Sequence, residues 1–333
     1  MLCRRNAPAA FLFRHTAGRA FIEWEYLEKG ADTLDREVMR YAAAAAVLPG
    51  NLRRAALSLS ESEQRAAEEI RLREGREMTV LLSGEERGCG IVVDAGDLDA
   101  LCNLVTEFSR YAAVETLRQG FLTIRGGCRV GFCGTAVMKD GIVTNLKDFS
   151  SVAIRVARQK RGIAEGMTEQ LFRDGRFCNT LILAPPGGGK TTLLRELVRC
   201  LSDGEGIPVG QRVALVDERG EIAAVRQGVL QMDVGQRTDV LDGCLKATAI
   251  PMLLRCMNPQ IVAVDEITLV EDIRAMTMAA NCGVGVLATI HAADLEELRR
   301  KPVSRELVEA GVFEWVLVPD GEPHRWRLER FLC

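Results

Sequence analysis

The chain has 333 residues, with 43 Lys or Arg against 46 Asp or Glu, and its net charge at pH 7 is −3. Apolar residues make up 47% of it, which is ordinary for a globular protein, and the length suits two domains. The weak negative charge excludes a broad attraction to nucleic acid or to anionic lipid, and no apolar run approaches the ~20 residues that cross a bilayer.

Residues 1–38 are predicted to lie outside the folded domains. The first 22 of them include four arginines and no acidic residue, a composition that transit peptides share. A disordered leader, or translation that starts at Met39, accounts for the same composition and is the interpretation we prefer.

The next segment, residues 39–165, is predicted to form a small α+β domain. Helical periodicity runs from Leu34 to Ile70 and is interrupted at Pro49. Two more helices are predicted, one over Asp97–Glu107 with Asp97 as its N-cap and one over Val114–Gln119. Strands, some joined by Gly-Gly or Asp-Gly pairs that favour hairpins, are predicted at Glu69–Leu72, Met78–Leu82, Gly90–Val93, Phe121–Arg125, Arg129–Met138, Ile142–Leu146 and Ser151–Ala157.

The second half, residues 166–333, alternates uniformly apolar strands with helices. Such strands are buried on both faces, so this half is predicted to be a mostly parallel α/β sheet with helices on both sides. The predicted strands are Thr180–Ala184, Val213–Asp217, Ile261–Asp265 and Gly285–Ile290. The predicted helices are Lys190–Leu201, Cys244–Met257 and Leu269–Asn281. The chain ends in a predicted hairpin made of Val312–Val318 and Arg325–Leu328.

Cysteine is frequent, with eleven residues, whereas histidine occurs three times. No C-x-x-C spacing is present, so the sequence does not predict a zinc site. An odd, unpatterned set favours reduced thiols in a cytoplasmic setting. Four cysteines in apolar surroundings are expected in the core, namely Cys102, Cys178, Cys200 and Cys282.

The strongest chemical signal is a glycine-rich turn between a predicted strand and a predicted helix. It follows the phosphate-loop pattern G-x-x-x-x-G-K-[ST] (Walker A), except that Ala184 takes the place of the first glycine. Lys190 supplies a charge for the β- and γ-phosphates, and the Thr191 hydroxyl can reach Mg²⁺. An ordinary glycine-rich turn is the alternative, which the adjoining Lys and paired Thr disfavour. The predicted ATP-binding residues are Pro185, Pro186, Gly187, Gly188, Gly189, Lys190, Thr191 and Thr192.

Acidic residues follow two of the apolar strands. In the IVAVDEI segment, Asp265 is predicted to hold Mg²⁺, directly or through water, and Glu266 to orient or deprotonate the attacking water. In VALVDER, Asp217 or Glu218 is expected to compete with Glu266 for that water or to surround the metal. For both segments the alternative is a plain acidic loop after a buried strand.

Two further segments are candidates for the same site. His291 ends a third apolar strand, where it could sense the γ-phosphate, although a lone histidine can equally be structural. The polar segment Asp233–Asp242 either lines the site, faces a neighbouring subunit or forms a solvated loop.

Four sequence blocks, in this order, closely resemble the sporulation stage III protein AA family: LILAPPGGGKTTLLREL, RVALVDERGEIAA, DVGQRTDVLDGCLKATAIPMLLRCMNPQIVAVDEI and GVGVLATIHA. That family is similar to the type II/type IV secretion ATPases of the RecA/AAA-like group. Glu68–Met78, Gly120–Val137 and Ser150–Gln159 also resemble it, so the resemblance begins near Met39 and continues to the C-terminus. It implies a RecA/AAA-like P-loop NTPase core, preceded by the smaller α+β domain, in a motor subunit that hydrolyses Mg-ATP as part of a hexameric ring.

The resemblance also implies roles for particular residues. IVAVDEI corresponds to the Walker B strand of the secretion ATPases, VALVDER to their acidic box and His291 to their histidine box. Their N-terminal domains supply arginines to the nucleotide, because a guanidinium spreads phosphoryl charge well. The candidates here are Arg129, Arg155 and Arg158, and the alternative is that all three are simply exposed strand residues.

The implied biological role is in endospore formation. The subunit would lie in the mother-cell cytoplasm and reach the membrane only through the membrane-embedded proteins of a channel to the forespore. Two alternatives stay open: a P-loop ATPase that acts on single-stranded nucleic acid, which the few aromatic residues disfavour, and a nucleotide-binding scaffold without turnover.

Overall fold

The computed structural model describes residues 33–106, 121–300, 302–321 and 325–331. The predicted helix over Val114–Gln119 lies outside these residues. The helices of the N-terminal part are α1 (Thr33–Ala46), α2 (Gly50–Leu57), α3 (Glu61–Ala66) and α4 (Ala95–Val105). Its strands are β1 (Ala67–Arg73), β2 (Glu77–Leu82), β3 (Glu85–Val92), β4 (Phe121–Thr123), β5 (Arg129–Lys139) and β6 (Ile142–Arg155).

The C-terminal part alternates strands and helices, as its sequence predicts. Its helices are α5 (Met167–Gln170), α6 (Lys190–Asp203), α7 (Lys246–Cys256), α8 (Val270–Asn281), α9 (Leu295–Arg300) and α10 (Pro302–Ala310). Its strands are β7 (Phe172–Arg173), β8 (Arg176–Phe177), β9 (Thr180–Ala184), β10 (Val213–Asp217), β11 (Thr238–Asp242), β12 (Ile261–Val264), β13 (Gly285–His291), β14 (Trp315–Pro319) and β15 (Trp326–Arg330).

The N-terminal sheet is antiparallel, with the order β3-β2-β1-β6-β5-β4. Strand β6 is one element of 14 residues where two shorter strands were predicted. It pairs with β5 across an irregularity between Cys133 and Thr135. Asp148 lies opposite this irregularity and has φ +49°. The two predicted strands are therefore one strand that contains a β-bulge.

The start of helix α4 corrects another prediction. Asp94, not Asp97, is the N-cap. The Asp94 carboxylate accepts a hydrogen bond from the Asp97 N–H at 2.8 Å, and the Asp94 N–H donates to the Asp97 carboxylate at 3.2 Å. Because both carboxylates belong to this capping box, the sequence alone favoured the wrong member of the pair.

The C-terminal sheet has the order β11-β10-β12-β13-β9-β14-β15, in which β15 is antiparallel to its neighbour. Strands β9, β10 and β12 are buried at every position. Leu193 and Leu197 of α6 lie in the core on one face of the sheet. Ile273 and Met276 of α8 lie in the core on the other face. The predicted α/β architecture, a mostly parallel sheet covered on both sides, is therefore confirmed.

The polar segment Asp233–Asp242 provides an edge strand, β11, rather than only a loop. Arg237 donates to the carbonyl of Ser202 at 3.0 Å, and the Gln236 N–H donates to Asp203 at 2.8 Å. Both contacts lie at the C-terminal end of α6, whereas the glycine-rich turn precedes the N-terminal end. Gln236 and Arg237 therefore do not line the predicted phosphate site.

The two sheets are joined by a segment that lies between β10 and β11. Ala224 and Met232 of this segment belong to the core of the N-terminal sheet. Gln231 accepts a hydrogen bond from the Gly126 N–H at 2.9 Å. Part of the second half is thus docked on the first, and a domain boundary near residue 165 stays a prediction.

Among the described residues, no helix combines the length and apolar character that crossing a membrane requires.

Cys102, Cys178 and Cys200 are buried, as predicted, but Cys282 is exposed. It caps the C-terminal end of α8 at the surface, so the expectation that it lies in the core is wrong.

Candidate nucleotide site

The glycine-rich turn leads from β9 into α6. Gly187 has φ +75° and Gly189 has φ +84°, values that glycine adopts without steric cost. The Gly188 N–H donates to the Pro185 carbonyl at 3.0 Å. A Cβ on Gly188 would lie 2.9 Å from the Cβ of Ala184, so both positions need small residues. Alanine therefore fits where the motif usually carries glycine.

Lys190, the first residue of α6, is 5% exposed. Its Nζ donates to the carbonyls of Ala184 at 2.7 Å and Pro185 at 2.9 Å. Nζ also lies 2.6 Å from Nδ1 of His291. An ammonium group only donates, so Nδ1 accepts and Nε2 carries the hydrogen. Because Nε2 lies 3.2 Å from Oε1 of Glu266, His291 bridges the loop lysine and the acid after β12.

A hydroxyl pair brackets the carboxylate of Asp265. Thr191 Oγ1 donates to Oδ2 of Asp265 at 2.9 Å. Thr289 Oγ1 donates to Oδ1 of Asp265 at 2.6 Å. Since β13 lies between β9 and β12, Thr289 reaches Asp265 from the adjacent strand. The carboxylate is thereby held against the loop that carries Thr191.

Glu266 has an unusual backbone conformation, with φ +44°. Its N–H donates to Thr289 Oγ1 at 2.8 Å and to Asp265 Oδ1 at 3.1 Å. Its Oε2 lies 2.5 Å from Nη1 of Arg219. A non-glycine residue in this region costs about 1–3 kcal/mol, so the surrounding contacts hold Glu266 in a conformation that it would otherwise avoid.

Asp217 and Glu218, at the end of β10, have different environments. The Asp217 side chain is buried and accepts hydrogen bonds from four backbone N–H groups, those of residues 221–224, at 2.8–3.3 Å. This saturation corrects the expectation that Asp217 competes with Glu266 for water or metal, because Asp217 organises a turn instead. Glu218 accepts a hydrogen bond from Nζ of Lys246, and its catalytic role stays a prediction.

Arg129 of β5 reaches across to the C-terminal part. Its Nη1 donates to Glu221 Oε1 at 2.6 Å, and its Nη2 donates to the carbonyl of Arg219. The guanidinium also lies 4.6 Å from the ring centroid of Phe121. Arg129 therefore contacts the loop after β10 within its own chain.

The other two predicted arginines differ in how firmly they are held. Nη2 of Arg158 donates to the carbonyls of Ala66 at 2.6 Å and Ala67 at 2.9 Å, at the junction of α3 and β1. The Arg155 side chain is 72% exposed, and its Nε lies 3.6 Å from Glu69. Of the three arginines, Arg155 is thus the most available to a second molecule.

The remaining predicted nucleotide-binding residues surround the loop. Pro185 and Pro186 are exposed, and Thr192 is half-buried on the first turn of α6. Thr192 faces an open cavity of ≈ 290 Å³, whose other lining residues are Glu68, Val156, Arg158 and Lys160. This cavity lies between the end of the N-terminal sheet and the phosphate loop.

Three basic residues of the site were missed by sequence reasoning. Arg219 follows the acidic pair of VALVDER directly, so its position after a strand end was a usable signal. Lys246 and Arg195 gave no such signal, because their partners are distant in sequence. Arg195 is 6% exposed and donates to the carbonyl of Ile222 at 2.6 Å. Burial, together with the nearby charge of Arg40, lowers the pKa of Arg195 to about 10.

Asp242 ends β11 in register with Asp217. Partial burial and the charge of Asp217 raise the pKa of Asp242 to about 6, although Arg129 acts in the opposite direction. The carboxyl edge of the sheet therefore has a carboxyl group that titrates near neutral pH.

Five predicted site residues come together at the carboxyl edge of the C-terminal sheet: Lys190, Thr191, Asp265, Glu266 and His291. Most of the chain is similar in fold to solved ATPases. One is the ATPase DotB from Legionella pneumophila, with a TM-score of 0.53 and 15% identity over 81% of this chain and 77% of that one. Another is the pilus retraction motor PilT with bound ADP, with a TM-score of 0.52 and 16% identity over 79% of this chain and 77% of that one. The chain therefore has the fold of these solved ATPases.

The family is defined by sequence. The family described as "Sporulation stage III, protein AA" matches residues 40–328. Stage III sporulation protein AA of Bacillus subtilis (strain 168) is 37% identical over 270 residues, which are 81% of this chain and 88% of that protein. The plant protein SEEDLING PLASTID DEVELOPMENT 1 of Arabidopsis thaliana is 29% identical over 179 residues, which are 53% of this chain and 25% of that protein. The chain belongs to the sporulation stage III protein AA family.

Proposed function

We propose that this chain is the Mg-ATP-hydrolysing motor subunit of a secretion-like channel complex in sporulation. The observation that carries the proposal is the Thr191–Asp265 contact of 2.9 Å, in which a hydroxyl of the phosphate loop meets the acid after β12. Lys190 and Glu266 flank this pair. A loop lysine, a metal-facing pair and a water-orienting acid are the parts that phosphoryl transfer requires.

The residues present fit a nucleotide with its magnesium ion. Gly188 has no room for a side chain, and an N-terminal helix end such as that of α6 favours phosphate groups. A hydroxyl and a carboxylate are ligands that Mg²⁺ takes, with phosphate oxygens and water completing its coordination. Thr191 and Asp265 would hold the ion, which when bound neutralises phosphate charge.

Each residue then has a distinct task. Lys190 binds the β- and γ-phosphates as a point charge, for which it must exchange its present partners at the loop carbonyls and His291. Glu266 accepts a hydrogen bond from the attacking water and orients it. His291 links these two residues, so it can report occupancy of the phosphate loop to Glu266.

The assembly and setting follow from the family resemblance. We propose a homo-oligomeric ring, of six subunits by analogy with secretion ATPases, in the mother-cell cytoplasm. The ring would reach the membrane through the membrane-embedded proteins of the sporulation channel. The exposed Arg155 suits a contribution to a neighbouring subunit's nucleotide, while Arg129 and Arg158 would first have to leave their partners within the chain.

The test is steady-state ATP hydrolysis by the full chain as a function of its concentration, with the Glu266→Gln variant measured beside it. We expect specific activity to rise with concentration, and Glu266→Gln to retain Mg-ATP binding while losing turnover. Undiminished turnover by Glu266→Gln would contradict the assigned site.

If the wild-type chain binds Mg-ATP tightly but shows no turnover at any concentration, the protein is a nucleotide-binding scaffold and not a motor. The same titration with single-stranded DNA and RNA addresses the nucleic-acid alternative. Stimulation by either polymer would favour that alternative over a channel motor.

A further inference from the structure

We propose that Arg219 is an inhibitory latch on Glu266, and that the N-terminal sheet holds this latch closed through Arg129. The proposal rests on the function proposed above, because it concerns the same carboxylate. It assigns a role to Arg219, which no motif identified. It also gives Arg129 a role through Arg219 rather than at the phosphates.

Protein donors approach the Glu266 carboxylate from two sides. Oε2 of Glu266 lies 2.5 Å from Nη1 of Arg219, and Oε1 lies 3.2 Å from Nε2 of His291. Both oxygens thus face protein donors. A carboxylate that orients water must present an oxygen to that water, so at least one of these contacts has to open before Glu266 can act. His291 also contacts Lys190 of the glycine-rich loop, so its contact with Glu266 can respond to that loop. Arg219 instead lies on the loop after β10.

The N-terminal sheet contacts the loop that carries Arg219. Its carbonyl accepts a hydrogen bond from Arg129, and Glu221 pairs with the same guanidinium at 2.6 Å. Asp217 fixes the following turn from within the C-terminal sheet. The loop is therefore held between the two sheets, and β5 holds it at the backbone of Arg219.

The ion pair between Arg219 and Glu266 is a weak restraint. The Arg219 side chain is 59% exposed and the Glu266 side chain 23% exposed. An ion pair this open to water restrains its members by no more than about a factor of five in an equilibrium. Such a contact is weak enough to open when the N-terminal sheet moves, which is what a reversible latch requires.

The coupling then has a direction. A movement that withdraws Arg129 from the Arg219–Glu221 loop frees the loop and weakens the pair with Glu266. Ring assembly or a docking partner on the N-terminal sheet could cause such a movement. In the isolated subunit, the closed latch would slow hydrolysis in addition to the absence of a neighbour's Arg155.

The test measures ATP turnover by dilute full-length chain for Arg219→Ala, Arg129→Ala and the double variant. We expect each single variant to raise basal kcat about threefold to fivefold. The double variant should match Arg219→Ala, because both residues act through one contact. Arg219→Lys, which lacks the planar fork, should give a smaller rise. Arg255→Ala, an exposed arginine on α7, is the matched control and should leave kcat unchanged.

A second readout does not depend on hydrolysis. Hydrogen–deuterium exchange of the peptide over residues 213–224 should accelerate in Arg129→Ala and stay unchanged in Arg255→Ala. A fall in kcat for Arg219→Ala would make Arg219 a supporting residue and overturn the latch. Unchanged exchange in Arg129→Ala would overturn the link to the N-terminal sheet. Accelerated exchange with no turnover in any variant would keep the mechanical link and reject the motor function instead.

Discussion

The carboxyl edge of the C-terminal sheet and the exposed surface of the N-terminal sheet hold their polar residues in different ways. At the carboxyl edge, Lys190 is 5% exposed and has three partners. On the N-terminal sheet, the Arg155 side chain is 72% exposed, and its Nε lies 3.6 Å from Glu69. The residues at the carboxyl edge are therefore held by close contacts within the chain, whereas the Arg155 side chain lies mostly in water.

This difference follows from the two kinds of sheet. Parallel strands that are buried on both faces end together, so the residues just beyond them are forced into one place. In the antiparallel sheet, most residues of β3 are exposed to solvent. We therefore expect substitutions at the carboxyl edge to act in every subunit, and substitution of the exposed Arg155 to act only in an assembly.

The largest expected effect is that of Lys190→Ala. Removing the buried charge should lower ATP turnover by on the order of 100- to 1000-fold, and it should weaken Mg-ATP binding measured by calorimetry. Lys147→Ala, at an exposed lysine of the N-terminal sheet, is the control and should change neither. Wild-type turnover by Lys190→Ala would remove the distinction between the two regions.

Asp217→Ala should affect stability rather than chemistry. Four backbone N–H groups, three of them on buried residues, lose their acceptor, so the free energy of unfolding should fall by about 3 kcal/mol in urea titrations. Asp217→Asn keeps one acceptor oxygen and should lose less. Glu85→Ala, on the exposed strand β3, should stay within about 0.5 kcal/mol of the wild type. Equal losses for Asp217→Ala and Glu85→Ala would contradict the structural role of Asp217.

Arg155→Ala sharpens the comparison from the other side. We expect turnover to fall about tenfold at concentrations where the chain assembles, because a guanidinium that stabilises phosphoryl charge in trans is lost. At dilutions where sedimentation shows monomers, the variant and the wild type should hydrolyse ATP equally. The same loss in the monomer would place Arg155 in its own subunit's site or in its fold.

The smallest expected effect is the pH dependence of stability that Asp242 contributes. Its pKa in the folded chain is about 6, above the ~3.9 of an unfolded aspartate. The protonated form is thus favoured by folding, and its contribution is present below about pH 4 and lost as pH rises through 6.

Asp242→Asn should therefore raise the free energy of unfolding at pH 8. Because Asp242 is only partly buried, solvent screening should keep this gain below about 1 kcal/mol. The gain should vanish by pH 4, as measured by urea titrations at both pH values. A gain that is the same at both pH values would show that titration of Asp242 is not its cause.

Sequence patterns were most informative where residues near in the chain stay near in space. The phosphate loop, the acids after β12 and the alternation of strands and helices all follow from contiguous segments. The same reasoning was misleading at Asp97, where two carboxylates share one cap. It was misleading again at Cys282, which follows an apolar segment but lies at the exposed end of α8. It was also misleading at β6, because a bulge can only be recognised from the partner strand.

The residues of this chain therefore determine the parts of the proposed nucleotide site: glycines that permit positive φ at Gly187 and Gly189, a lysine and a hydroxyl at the start of a helix, and acids after a buried strand. Only the tertiary structure decides how those parts are connected. Strand β13 lies between β9 and β12, which lets His291 bridge Lys190 and Glu266. Arg219 pairs with Glu266, although the two residues are 47 positions apart in the sequence. Asp217 accepts hydrogen bonds from backbone N–H groups instead of facing the site. Local backbone chemistry is encoded by neighbours in sequence, whereas strand order and domain docking are set by burial of apolar surface across the whole chain.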